Sequence, residues 1–152
     1  MKVKRVLANN RKKAFLINAG KSSYEFPYSE LSIKPTTVNP VVSVFVDKEI
    51  ASEGFTYVLK TGRQDTVLLD QILEKNGDAE YERRKILYDL TCIAQEAIDN
   101  SSIKKRALAR KLSTTPTHLY RLLDQSFYGK TIDQMLKLLV ALGVFIKFKK
   151  VA

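Results

Sequence analysis

Residues 103–125 read IKKRALARKLSTTPTHLYRLLDQ, and the fold of the C-terminal half follows from how that stretch divides. Leu108, Ala109 and Leu112 recur at the spacing of one helical face, Leu119, Leu122 and Leu123 at that of another, and only Ser113 and Thr114 lie between them. Two helices joined by so short a turn must cross steeply, at roughly 90 to 120°, and the crossing point tolerates only a small side chain. Ala109 supplies it. The second helix has a well-marked start, because Thr115 can accept from free backbone N–H groups as N-cap and Pro116 has the φ that a first helical residue needs. Its outward residues are then Thr117, His118, Tyr120 and Arg121. Polar groups of varied geometry beside a positively charged helix start are what a helix entering the major groove of DNA requires.

The charge supports that reading. The 152 residues carry 26 Lys/Arg against 16 Asp/Glu, a net charge of +10, which attracts polyanions: nucleic acid first, an anionic membrane surface second. The excess is uneven, since residues 1–80 hold 12 basic and 10 acidic side chains while 81–152 hold 14 and six. Within 100–130 there are seven basic residues (Lys104, Lys105, Arg106, Arg110, Lys111, Arg121 and Lys130) and one acid, Asp124.

Working outward, Thr131-Ile132-Asp133-Gln134 matches a capping box, and Ile132, Met135, Leu136, Leu139 and Val140 predict the apolar face of a further helix that Gly143 stops. Residues 144–150 alternate as a terminal strand that can return to an N-terminal sheet. Upstream, a helix is expected over about 80–98, capped by Asp78, with a stripe of Tyr81, Lys85, Ile86, Leu90, Ile93, Ala94 and Ala97. Cys92 within it reads as a small buried or flanking residue. From Thr66, Val67, Leu68, Ile72 and Leu73 predict one side of a short helix ending at Asn76-Gly77. The front part reads as five strands, over 3–8, 14–19, 22–28, 41–46 and 55–59. The β-branched run 41–46 suggests a strand covered on both faces, and Pro27 places the end of the third strand at a sheet edge. The fold class expected is therefore α+β: an N-terminal antiparallel β-rich domain over 1–77, and over 78–152 a C-terminal helical bundle containing the two crossing helices.

Composition bounds the function. At 45% hydrophobic and 28% charged the chain is ordinary globular protein, not a disordered or low-complexity one. No apolar run approaches a membrane span, and the opening MKVKRVLANN lacks a signal peptide's apolar core, so a cytoplasmic location and no membrane partner are expected. One cysteine and one histidine cannot build the usual metal cage, and neither a phosphate-cradling glycine loop nor a nucleophile elbow occurs. No enzymatic activity, cofactor or metal is expected.

The pattern Leu108-Ala109-x-x-Leu112, a short turn, Thr115, then Leu119-x-x-Leu122-Leu123 and a capped further helix resembles the lambda-repressor-like (Cro/C1-type) helix-turn-helix family of bacterial and phage regulators, over about residues 86–143. Helix-turn-helix antitoxins share it. With its β-rich front, the whole chain resembles small uncharacterised bacterial proteins that pair a β-rich domain of unknown function with this motif. The resemblance implies a transcriptional regulator, an antitoxin or autoregulator among the options, acting on double-stranded DNA. It puts Lys105 and Thr115 on phosphates and Pro116, Thr117, His118 and Arg121 nearest the bases, with Tyr120 and Lys130 as further candidate contacts. Such proteins act as homodimers with recognition helices about 34 Å apart. Two departures stand out: Ser113 occupies the positive-φ turn position usually held by glycine, and Pro116 replaces a hydrogen-bonding residue. The competing reading is an interaction adaptor, whose β-rich part binds a protein partner while the crossing helices only pack. Within the motif itself, Arg121 has Asp124 as an alternative partner, and Tyr120 and Tyr128 have the core as an alternative setting.

Overall fold

The computed structural model describes residues Met1 to Val151 and gives the element order ββββββααααα. Its contacts divide the chain into two compact units, the first ending at Tyr81 and the second beginning at Glu82, four residues beyond the boundary expected from sequence.

The first unit holds six strands rather than five, in two antiparallel meanders rather than one sheet: β1 (Val3–Asn9), β2 (Ala14–Ala19) and β3 (Ser22–Pro27), then β4 (Val41–Val46), β5 (Gly54–Leu59) and β6 (Gln64–Leu68). Gly20, at φ +59°, opens the two-residue turn that sets Ala19 opposite Ser22. Edge strands β1 and β4 pack side by side, and Asn10 Nδ2 bridges them by donating to Val41 O at 3.2 Å. Helix α1 (Leu69–Lys75) lies against β3 and β6, so the outer edges of both meanders share one cover. Pro27 ends β3, an edge strand, where its missing N–H costs no ladder bond.

Phe15 is the hub of this core, with the rings of Phe55, Tyr28 and Tyr57 at 4.8, 4.9 and 5.4 Å from its own. Each such ring taken from water contributes about 2 to 3 kcal/mol, and the tilted pairs add to it. The tyrosines also tie loops down: Tyr57 Oη donates to Ile33 O at 2.8 Å, Tyr28 Oη to Asn10 Oδ1 at 2.8 Å and Tyr24 Oη to Asp78 Oδ2 at 3.1 Å.

Two strand readings need correction. Residues 64–68 form β6 rather than a helix start, because Val67 pairs with Phe55 and the Thr56 and Thr66 hydroxyls meet at 2.7 Å. The helix begins only at Leu69, where Gln71 Oε1 accepts from the N–H of Leu68. Leu68 itself is exposed. Strand β4 is not covered on both faces: Val41 is buried, but Val42 and Phe45 stand in solvent. Its β-branched run reflects strand propensity, not two buried faces.

The second unit contains α2 (Ala79–Asp99, its first turn still in the first unit), α3 (Lys105–Lys111), α4 (Pro116–Leu122) and α5 (Ile132–Ala141). Asp78 caps α2 by accepting from Tyr81 N at 2.9 Å. The buried face of α2 is Leu87, Leu90, Thr91 and Ala94, about one residue round from the expected stripe, which leaves Ile86 and Ile93 exposed. Thr91 disguised the phase: it looks polar, yet its hydroxyl donates back to Leu87 O at 2.6 Å and is fully buried. The α5 capping box is present, with Thr131 Oγ1 accepting from Gln134 N and Gln134 Oε1 from Thr131 N. Here too the buried set (Met135, Leu138 and Leu139) is rotated, and Val140 is exposed. Gly143, at φ +77°, follows the helix. Residues 144–150 form no strand; Val144 and Ile146 pack on the helical core, while Phe145 and Phe148 remain exposed.

Candidate nucleic-acid interface

Helices α3 and α4 meet as the leucine spacing requires. Leu108, Ala109, Leu119, Leu122 and Leu123 are all buried in one aliphatic cluster with Leu87, Leu90 and Leu138. The turn between the helices is built on Ser113, whose φ is +54°; Thr114 N donates to Ala109 O at 2.9 Å and Ser113 N to Arg110 O at 3.1 Å. These two bonds satisfy the last carbonyls of α3 in a Schellman arrangement, with serine in the left-handed position that glycine occupies without strain. Thr115 then caps α4, its Oγ1 accepting from His118 N at 3.1 Å, with Pro116 first in the helix.

The phase of α4 follows. With Leu119, Leu122 and Leu123 inward, Thr117 and Arg121 stand on the opposite side one turn apart, flanked by Tyr120 and His118. Pro116, Thr117 and Arg121 are exposed, Tyr120 is 56% exposed and His118 is half-buried. Lys105, from the start of α3, sits with Nζ 5.3 Å from the centre of the Tyr120 ring, a cation–π contact that joins two of the candidate residues across the helix pair. Arg121 makes no hydrogen bond or ion pair among the described residues; Asp124 instead accepts from Ser126 N at 2.9 Å and Ser126 Oγ at 2.7 Å. Those two donors hold the Asp124 carboxyl below its usual range, helped by the nearby ammonium of Lys130.

Lys130 is a correction. Only 2% exposed, it cannot meet a phosphate. Its Nζ donates to Thr91 Oγ1 at 2.7 Å, Asp124 O at 2.8 Å and Leu122 O at 2.9 Å, so all three N–H bonds are used. Burial pushes its pKa down, while Asp124 pulls the other way. One of those acceptors, Leu122 O, is an orphan carbonyl at the end of α4, where a cation complements the helix dipole, and Asp124 O also accepts from Phe127 N at 3.2 Å. Gln95 Nε2 holds the next, Leu123 O, at 2.7 Å. Lys130 is thus the fastener that fixes α4 to α2.

Tyr128 also belongs to the helical core, half-buried with Arg84 5.4 Å from its ring centre. Lys111 is exposed but tied, its Nζ donating to Ala141 O at the end of α5. Sequence reasoning left Lys104, Arg106 and Arg110 out of the candidate residues, although all three are exposed. The signal was there: on a helix that turns Leu108 and Ala109 inward, with Leu112 half-buried at its end, Arg106 and Arg110 fall on the opposite side one turn apart. From residue 100 to 123 the surface holds six exposed cations, and the sequence places no carboxylate there. No group of three or more His, Cys, Asp or Glu side chains among the described residues could hold a metal ion, and no described helix is long and apolar enough to cross a membrane.

No protein-family model, curated protein or solved structure gives a significant match to the chain.

Proposed function

We propose that the second unit is a helix-turn-helix module of the lambda-repressor-like type that binds duplex DNA, with α4 as its recognition helix, and that the protein acts as a transcriptional regulator. One observation carries the reading: the polar side of α4 is open to solvent and is accompanied by six exposed cations with no carboxylate in the same stretch. A merely packing helix pair has no need of that field, whereas neutralised phosphates supply most of the affinity for nucleic acid. Lys104, Lys105, Arg106 and Arg110 would lie along the backbone, and Thr117, Tyr120 and Arg121 would face base edges. Thr115 contributes through its cap, which fixes where α4 begins. The two crossing helices need a rigid frame for this, and Lys130 and Gln95 provide it at the end of α4.

Reading a palindrome takes two copies with their recognition helices about 34 Å apart. The exposed apolar side chains Ile86 and Ile93 on α2, or Val42 and Phe45 on β4, offer a contact for a homodimer. Selection of bound duplexes from a random pool tests the function and its symmetry together. Enrichment of a site with two half-sites about one helical turn apart is the expected result. Recovery of no duplex above background would leave the adaptor reading in its place.

A further inference from the structure

The first unit contains a cleft that DNA binding does not use. It is an open cleft of about 720 Å³, framed by the β1–β2 turn, the chain just after β3 and the connection that leads into β4. That volume falls in the range of small-molecule sites, roughly 300 to 1,000 Å³. The residues with apolar bodies that line it are Pro35, Pro40 and the largely buried Tyr28. At its rim stand Lys13 and Lys34, both exposed and neither in an ion pair among the described residues. Ser29, Thr36 and Thr37 add hydroxyls, and no carboxylate lines the space.

The walls are braced by the chain's own hydrogen bonds. Lys13 adopts φ +57°, a conformation disfavoured for a side chain of this kind, and its carbonyl accepts from Tyr28 N at 2.9 Å. Asn10 is fixed from two sides, accepting from Tyr28 Oη and donating to Val41 O. Opposite, Thr36 and Asn39 exchange backbone bonds at 3.1 and 3.2 Å, Asn39 Oδ1 accepts from Thr61 N at 3.0 Å, and Tyr57 Oη anchors Ile33. A loop between two prolines, braced at both ends, keeps its shape at little entropic cost when something binds.

We propose that this cleft binds a small organic anion with an apolar body, a carboxylate or a phosphate monoester, through Lys13, Lys34 and the neighbouring hydroxyls. The apolar part lies on the prolines and the edge that Tyr28 leaves open, and the charge sits between the two ammonium groups. The site lies within the first unit, so it stands or falls independently of DNA binding.

Three probes of one shape decide it: phenyl phosphate, benzoate and the neutral benzyl alcohol, titrated into the full chain and followed by amide chemical shifts. Saturable shifts at residues 13, 28, 29, 34 and 36 with one or both anions, and none with the alcohol, are expected; whichever anion saturates first identifies the headgroup. In a Lys13→Gln/Lys34→Gln double variant the affinity should drop roughly tenfold or more, as two partly screened charge contacts imply. Lys34→Gln alone, in the loop, should give a smaller drop, and Lys12→Gln, whose ammonium pairs with Glu25, should change nothing. No saturable shift with either anion, equal binding of the alcohol, or undiminished binding in the folded double variant would overturn the proposal.

Discussion

The β-rich unit buries hydroxyls, those of Tyr28 and Tyr57 donating to loop acceptors and that of Thr56 meeting Asp47 and Thr66, whereas the helical unit buries an ammonium, that of Lys130, among three acceptors. A hydroxyl gives up little hydration and finds one partner; an ammonium gives up much more and holds its place only when every N–H bond is filled. The difference shows that the two units are fastened by different means. Aromatic volume secures the first, and a polar clamp fixes the helix that matters most in the second.

The largest test of that contrast is Phe15→Ala. Removing the hub of the aromatic core should cost about 3 to 5 kcal/mol, read by urea denaturation with hydrogen exchange resolving β2 and β5. Equal loss of protection in α4 would break the contrast. Next comes Lys130→Met, which removes three hydrogen bonds and strands the buried Leu122 carbonyl, and should cost the helical unit about 2 to 4 kcal/mol, with exchange accelerated first in α4. A cost below about 1 kcal/mol would mean that relief of desolvation offsets the lost bonds and that the clamp is dispensable. Arg121→Ala should leave stability within about 0.5 kcal/mol while weakening duplex binding by about 1 to 3 kcal/mol, measured by fluorescence anisotropy. Ser113→Gly should stabilise the helical unit by up to about 1 kcal/mol, because glycine takes φ +54° without strain.

Burial raises the pKa values of Tyr24, Tyr28 and Tyr57, so the stability they confer is complete below the ordinary tyrosine value of about 10 and is lost as pH climbs through the higher folded values. Lys130 has the opposite sign. Its folded pKa is lowered by burial, so the unfolded chain binds more protons between that value and about 10.4, and the helical unit gains stability as pH rises across that window. The gain should appear as a difference between wild type and Lys130→Met in alkaline denaturation curves. A flat difference would contradict it.

How much of this was legible depends on which signals are local. The caps at Thr115 and Thr131 and the leucine faces of α3 and α4 depend on near neighbours in sequence, and the structure places them where the pattern did, whereas the positive φ at Ser113 was expected only from the family resemblance. The phases of α2 and α5 were off by about one position, because Thr91 hides by bonding its own backbone and Leu138 lies beside equally apolar residues. The strand at 64–68 was missed because DTVLL runs into a helix without a break in hydrophobicity, and its pairing with β5 is not written in the segment itself. Lys130 misled for a related reason: its three acceptors lie on Thr91, Leu122 and Asp124, so by sequence it is one more cation in a basic stretch.

The most direct measurement is the affinity for duplex DNA as a function of salt. If four to six of the exposed cations between residues 104 and 121 neutralise phosphates, log K should fall by about 4 to 5 for each tenfold rise in salt, and Arg106→Gln/Arg110→Gln should flatten that slope by about 2. A slope near zero, or one unchanged by removing those two arginines, would contradict the proposal that this surface is built for DNA.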